Sequence, residues 1–555
     1  MPVRSSLIAS LAMLSMVAGC SHPDPVDEAA KAYEQGHALL KDHPDRAIPY
    51  FDTAIHLNSK YVAAYNDRGW ARQLTNDARG AAADFDRAIE LDPHFADARC
   101  NRGWNRYNNG ELDSAIEDFN AALKTNPNLA IAFNRRGLAH AARGELKEAI
   151  ADYDSSLELE PKSSAAYCNR GDARRDSGDS DGALNDYGKA IELDRKFAVA
   201  FNNRAMLEQQ LGKLTEALLD FDKAIRADPK FAAVYVNRAS AFRTQNELKR
   251  AIADCDEAIK IDPALAIAYS GRGDVRLDVG DALGALEDFK KAISLQSDLA
   301  VALNGQGIAL RRARNDTNGA IESFDRAIRA NPRLAEAYSN RALAKQDSQD
   351  YSGAIADYNQ AIEINDKLAG LYNNRGASFM KRAELHNNEA GRRRATGAPG
   401  ADEEEKAAKE QWKLAIKDFD KAVELDSKMP QAYEKRGIVR HFLGDDDRAM
   451  EDFNRAIELK PDSSSAYAER GVVWDSRGDF NKAFDEYTRA IKANRNDPIP
   501  YARRGLLLLR HQQDLSANQD FEACVQLEPK FGPQLQALIA QIKEARKQAK
   551  TEGKN

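Results

Sequence analysis

Gly69, Gly103, Gly137 and Gly171 stand 34 residues apart, and the same slot continues as Ala205, Ala239 and Gly273. So strict a period restricts the fold sharply. A unit of that length cannot enclose a core, so successive units must stack and share one along the chain. Twelve residues after each small residue comes an alanine: Ala81, Ala115, Ala149, Ala183, Ala217, Ala251 and Ala285. Four further on comes a ring, Phe85, Phe119, Tyr153, Tyr187, Phe221 or Phe289, with Cys255 the exception. A small residue follows (Ala88, Ala122, Ala190, Ala224), and then often proline (Pro93, Pro127, Pro161, Pro229, Pro263).

Each element of this pattern has a mechanical reason. Let the first small residue be slot 8. Slots 4, 8 and 11 then share one face of a helix, and slots 20, 24 and 27 share one face of a second. Small residues at 8, 20 and 27 let two antiparallel helices approach closely, and the ring at 24 fills the space beside them. Slot 15 is Gly110, Gly144, Gly178, Gly212, Gly280, Gly444 and Gly478, a residue able to close a helix in the left-handed conformation. Proline at slot 32 stops the second helix.

The pattern resembles the tetratricopeptide repeat. That resemblance implies an all-α solenoid, a right-handed superhelix of about fourteen helix-turn-helix repeats over residues 26–531. Gly532–Lys550 reads as a polar, amphipathic capping helix within a terminal segment 532–555. The ninth repeat carries one extra residue near Asn315. The eleventh carries an insertion, 381–411, with GRRR, then ATGAPGA, then DEEEKAAKE. Glu403–Glu405 suit a helix N-terminus, so both helices of this repeat are expected to lengthen and project, with a flexible tip at Ala395–Ala401. The arm could be a plain excursion or a docking element with a basic and an acidic side.

Slot 7, commonly Leu in the family, is Arg68, Arg102, Arg136, Arg170, Arg204, Arg238, Arg272, Arg341, Arg375, Arg436, Arg470 and Arg504. Slot 23, on the facing helix, is acidic in the same repeats, from Asp84 through Asp186 and Asp220 to Glu486 and Asp520. Where slot 7 is Gln306, slot 23 is Ser323; where it is Gln35, slot 23 is Tyr50. Loss of both together predicts an ion pair inside each repeat, Arg170 with Asp186 and Arg204 with Asp220, since a planar guanidinium can fork onto a carboxylate.

In the family, slots 2, 5, 6, 9, 12 and 13 face or border a concave groove. Slot 6 is Asn101, Asn169, Asn203, Asn237, Asn340 and Asn374; slot 5 includes Asn66, Asn134, Asn202, Asn304 and Asn373. This resembles the asparagine ladder in the repeat domain of O-linked N-acetylglucosamine transferase, which holds an extended peptide backbone. An amide both donates and accepts, so it can match a peptide bond. The ladder is broken at Asp67, Arg136, Gly271 and Gly305 and ends before Lys435. The same residues could equally make helix-to-helix hydrogen bonds. Trp70, Trp104 and Tyr107 are candidate partner anchors on that face, or packing between repeats.

Residues 1–19 read as a secretory signal: Arg4, then an apolar run from Leu7 to Val17 too short to span a membrane. Val17-Ala18-Gly19-Cys20 resembles the bacterial lipobox, which implies a lipidated Cys20, a tether over 20–25, and a periplasm-facing lipoprotein. Ser21 implies the outer membrane. Cys100, Cys168, Cys255 and Cys524 lack metal spacing and read as small packing residues.

The chain has 80 basic residues mixed among 87 acidic ones, net charge −7, which argues against nucleic acid. No HExxH, GxSxG or phosphate loop occurs, so the reading includes no catalytic residue, metal, cofactor or small-molecule substrate. The function expected is a non-enzymatic adaptor that binds proteins or peptides and is held to a membrane by lipid. The alternatives are a structural spacer without a client and a cytosolic co-chaperone-like scaffold.

Overall fold

The computed structural model describes residues 25–551. Residues 1–24 lie outside it, and with them the signal segment, nearly all of the tether and the Cys20 lipidation site. The described residues form twenty-nine α-helices and one short 3-10 turn, with no strand among them. None of these helices is long and apolar enough to cross a membrane.

The chain divides into two compact units, one ending at Asn246 and one starting at Glu247. The first holds six antiparallel helix pairs, from Pro25–Leu39 with Pro44–Leu57 to Ala198–Gln210 with Leu214–Ala227, and then helix Ala232–Thr244. The second starts with helix Leu248–Ile261 and continues through seven pairs, from Ala266–Asp278 with Ala282–Leu295 to Pro498–Arg510 with Asp514–Leu527. It ends in the single helix Gly532–Thr551. Both units are α-solenoids, and each helix pair is one repeat, 34 residues long except in the first, ninth and eleventh.

The slot-24 rings form the centre of each repeat: Phe85, Phe119, Tyr153, Tyr187, Phe289 and Phe453 are all essentially inaccessible to water. Burying such a ring stabilises by about 1.5–3 kcal/mol. The small residue at slot 8 follows from this. A Cβ built on Gly171 would sit 2.7 Å from Cε1 of Tyr187, so the ring already occupies that volume. Slot 15 closes the first helix in the left-handed region, with φ from 75° to 91° at Gly110, Gly144, Gly178, Gly212, Gly280, Gly444 and Gly478. Asn76, Asn246, Gln349 and Gln512 take the same conformation at that slot. The extra residue of the ninth repeat extends its first helix to Ala300–Arg314, which ends on Asn315 at φ 51°.

The insertion continues both helices of the eleventh repeat, Ala369–Thr396 and Ala401–Leu425, joined through Gly397 and Gly400 at positive φ. Its charges meet one another: Arg393 lies 3.1 Å from Glu404, Arg394 reaches Asp402 at 3.2 Å and also Glu405, and His386 Nδ1 lies 2.7 Å from Glu404. At the arm's base Trp412 stacks on Phe442, ring centroids 5.4 Å apart. The last helix packs Leu535 against Leu508, Leu509 and Phe521, covering the apolar face of the final repeat. The four described cysteines are free and buried.

Candidate functional site

Arg170 shows how the slot-7 arginines are held. Its Nε donates to Oδ2 of Asp186 at 2.8 Å and its Nη2 to Oδ1 at 2.6 Å, while Arg174 Nη1 donates to Oδ2 at 2.8 Å. Asp186 is 0% exposed. The same fork joins Arg68 to Asp84, Arg102 to Asp118, Arg136 to Asp152, Arg272 to Asp288, Arg341 to Asp357, Arg375 to Asp418 and Arg504 to Asp520. Hydrogen bonds to Asp186 hold the Arg170 guanidinium charged above its ordinary range. Burial pushes the Asp452 carboxyl up, against the pull of Arg436 and Arg440.

Every slot-7 arginine except Arg204 also has a second partner that the sequence reading missed. In each, Nη1 reaches back sixteen residues to slot 25 of the preceding repeat. Arg102 meets Asp86 at 2.7 Å, Arg170 meets Asp154 at 2.6 Å, Arg238 meets Asp222 at 2.6 Å and Arg272 meets Asp256 at 2.6 Å. Neutral acceptors serve too: Asn120 for Arg136, Asn359 for Arg375, and Thr488 for Arg504. A signal for this was present. Lys290 stands at slot 25 just before the repeat whose slot 7 is Gln306. The guanidinium therefore links two repeats as well as two helices, and a slot-4 ring often lies beneath it, as Tyr167 does 5.4 Å from Arg170.

Within each compact unit, successive first helices touch, while successive second helices stand further apart. The first helices therefore line the inner side of the stack. The ladder amides lie here, joined to one another. Asn101 donates to Asn66 at 3.0 Å, Asn169 to Asn134 at 3.1 Å, Asn237 to Asn202 at 2.8 Å and Asn340 to Asn304 at 3.0 Å. Asn203 donates to Asp172 at 2.9 Å, and Asn374 accepts from Asn373 at 3.0 Å. Asn66 is buried; Asn101, Asn169, Asn203, Asn237, Asn340 and Asn374 are half-buried. Each bond uses one donor or acceptor of a group that has four, so a half-buried amide keeps capacity toward solvent.

The break in the fourth repeat falls at Arg135, one residue before Arg136. Arg135 is 9% exposed and donates to Asn101 at 2.9 Å. Its guanidinium lies 5.2 Å from the Trp70 ring and 5.1 Å from the Trp104 ring, and Trp104 stacks on Tyr107 at 4.9 Å. Trp70 and Trp104 are thus the half-buried walls of a cation sandwich, a contact that strengthens as it is desolvated, and Tyr107 backs the Trp104 wall. Further along, an open cleft of about 320 Å³ lies between Ala198–Gln210 and Ala232–Thr244, lined by Met206, Gln209, Gln210, Asn237, Ser240 and Thr244. It combines one soft apolar side chain with five polar ones, and Gln209 donates to Ser240 at 3.1 Å. Among the described residues, no group of His, Cys, Asp or Glu side chains is placed to hold a metal ion.

A family model described as tetratricopeptide repeat matches residues 33–96, 68–130, 100–166, 168–230, 202–266 and 270–333. A model described as TPR repeat matches 347–382, and a further tetratricopeptide repeat model matches 430–463. No curated protein matches the sequence significantly. Among solved structures, the APC/C hetero-tetramer Cut9–Hcn1 is 14% identical with a TM-score of 0.58, over 94% of this chain and 98% of that one. A tetratricopeptide repeat protein from Parabacteroides merdae is 22% identical with a TM-score of 0.39, over 45% of this chain and 98% of that one. The likeness to Cut9–Hcn1 is one of fold.

Proposed function

The chain belongs to the tetratricopeptide repeat family, and from that premise we propose that it is a non-enzymatic scaffold that binds proteins along its first helices, lipid-anchored in a bacterial envelope. The observation that carries the binding reading is the cleft between Ala198–Gln210 and Ala232–Thr244, where amides, hydroxyls and Met206 meet on the inner side. Such a surface suits an extended peptide: the amides pair with its backbone, and the thioether accepts varied apolar side chains. Stacked repeats offer many such contacts in series, so affinity comes from length and local concentration. The anchor rests on Val17-Ala18-Gly19-Cys20. Several acyl chains at Cys20 would give stable membrane attachment, with Ser21 favouring the outer membrane.

Two experiments test this. A photo-cross-linking residue placed at Gln210 should capture a polypeptide partner, and one at the exposed, second-helix Leu219 should not. Capture from Leu219 alone would refute the inner-face reading, and capture from neither would favour a structural spacer. The mass of the mature N-terminal peptide should show an acylated Cys20 in the membrane fraction. An intact Met1 in the soluble fraction would remove the anchor and favour a cytosolic scaffold.

A further inference from the structure

Among the described slot-7 arginines, Arg204 alone lacks the backward partner. Slot 25 of the preceding repeat is Gly188. A Cβ built there would have only Nη1 of Arg204 within 4 Å, at 3.8 Å. The forward fork is also incomplete. Arg204 Nε donates to Oδ2 of Asp220 at 2.5 Å, but Lys223 takes Oδ1 at 2.8 Å, the oxygen that Nη2 holds in the other forks. Among the described residues, neither Nη nitrogen of Arg204 has a hydrogen-bond partner. A second departure lies beside it. Slot 32, proline in the flanking repeats, is Arg195, followed by Lys196.

These departures converge on one open cleft of about 710 Å³ formed by Ser180–Leu193, the following turn, Ala198–Gln210 and Leu214–Ala227. Arg195, Lys196, Arg204, Lys223 and Arg226 line it, against one carboxylate, Glu192, which is bound to Lys189 at 2.7 Å. Among the described residues, no carboxylate pairs with Arg195, Lys196 or Arg226. Five cations around a concave surface set up a field that attracts anions, and a guanidinium with two free Nη groups is suited to fork onto an oxyanion. Ile191 and Phe201 form an apolar floor.

We propose that this cleft binds a carboxylate-rich segment of a partner polypeptide, with Arg204 as its central donor. The cations come from three elements, so they match several carboxylates in a row better than one small anion. The cleft has the volume of a ligand site, and its floor takes the methylene groups of Asp and Glu side chains. The site goes beyond the inner-face reading, and rests on it only for the choice of a polypeptide as carrier. Gly188 lies on a second helix, so loss of this site and loss of the inner-face cross-link are separable.

Gly188→Asp restores the acceptor that the other junctions possess and should satisfy Arg204 without harming the fold. The test is calorimetric titration of the full chain with hexaglutamate, hexaglutamine and inorganic phosphate. Wild type should bind hexaglutamate, weaken with salt and ignore hexaglutamine. Gly188→Asp should melt no lower than wild type and bind hexaglutamate roughly tenfold or more weakly, the effect of losing a hydrogen bond between charged groups. Arg226→Gln, a change on an exposed side chain, should weaken binding in the same direction. Unchanged binding in both variants, equal binding of hexaglutamine, or binding of phosphate without hexaglutamate would each overturn the proposal.

Discussion

Replacing Asp186 by Ala tests whether the buried arginine forks hold the repeats together. The carboxylate is 0% exposed and accepts three charge-assisted hydrogen bonds, two from Arg170 and one from Arg174. After truncation Arg170 keeps Asp154 at 2.6 Å, but Arg174 keeps only Asp179, at 3.8 Å. Removing one partner of a buried pair leaves a charge without compensation and costs about 3–5 kcal/mol. Replacing both Arg170 and Asp186 by apolar residues of similar size leaves no stranded charge and should cost much less. The coupling across the double-mutant cycle should therefore exceed about 1.5 kcal/mol. Stacked repeats do not unfold as one two-state body, so the readout should be local: amide hydrogen exchange in Ser164–Asp176 and Ser180–Leu193. The single substitution should speed exchange there by about two or more powers of ten, while Phe480–Ala493, far along the chain, stays unchanged. Acceleration below about tenfold, or equal acceleration at both places, would refute the reasoning.

Three other outcomes follow from burial. The Cys168 and Cys255 thiols are pushed up to about 12 by burial, so Ellman's reagent should label neither at neutral pH until denaturant is added. Burial raises the Tyr153, Tyr187, Tyr358 and Tyr487 phenols above their ordinary range. A raised folded pKa stabilises fully below the unfolded value of about 10 and loses that contribution as pH climbs toward the folded value. Alkaline titration should thus release a late group of phenolates together with loss of helicity, and their early release with helicity intact would contradict it. Trp412→Ala removes a ring only 4% exposed and stacked on Phe442; it should cost about 3–5 kcal/mol, seen as faster exchange in Ala369–Thr396 and Ala401–Leu425.

The repeat was legible because its rule is local. A glycine or alanine at slot 8 and a ring sixteen residues later are two halves of one contact, and both lie within a single period. The fork was legible for a related reason: Gln306 with Ser323 and Gln35 with Tyr50 lose both members within one repeat. The slot-25 partner was not found, because it belongs to the arginine of the next repeat and looks like any acidic residue on a helix surface. The amides posed a harder problem. Spacing placed Asn101, Asn169, Asn203 and Asn237 on one helix face, yet could not tell a bond to the neighbouring helix from an open valence. That choice depends on how closely first helices approach, a distance set by packing along the whole stack. The gap expected at Arg136 falls one residue earlier, at Arg135, and the structure fills it with a cation between two indoles.

Why a solenoid should put a charge at each junction follows from geometry. Apolar packing between similar repeats is tolerant of sliding, since one small-and-large surface resembles the next. A guanidinium bound to a carboxylate on one repeat and to an acceptor on its neighbour fixes direction as well as distance, because its donors are coplanar. Removing either acceptor leaves a donor that must find another partner. In the ninth repeat the chain resolves this by losing the arginine, with Lys290, Gln306 and Ser323 changed together. At Gly188 the acceptor is lost and the arginine kept, and three further cations without carboxylate partners, Arg195, Lys196 and Arg226, gather around it. A junction maintained only for stability would discard Arg204 as the ninth repeat discards its own; keeping it and surrounding it with more positive charge is the arrangement expected of a surface that takes its missing anion from another molecule.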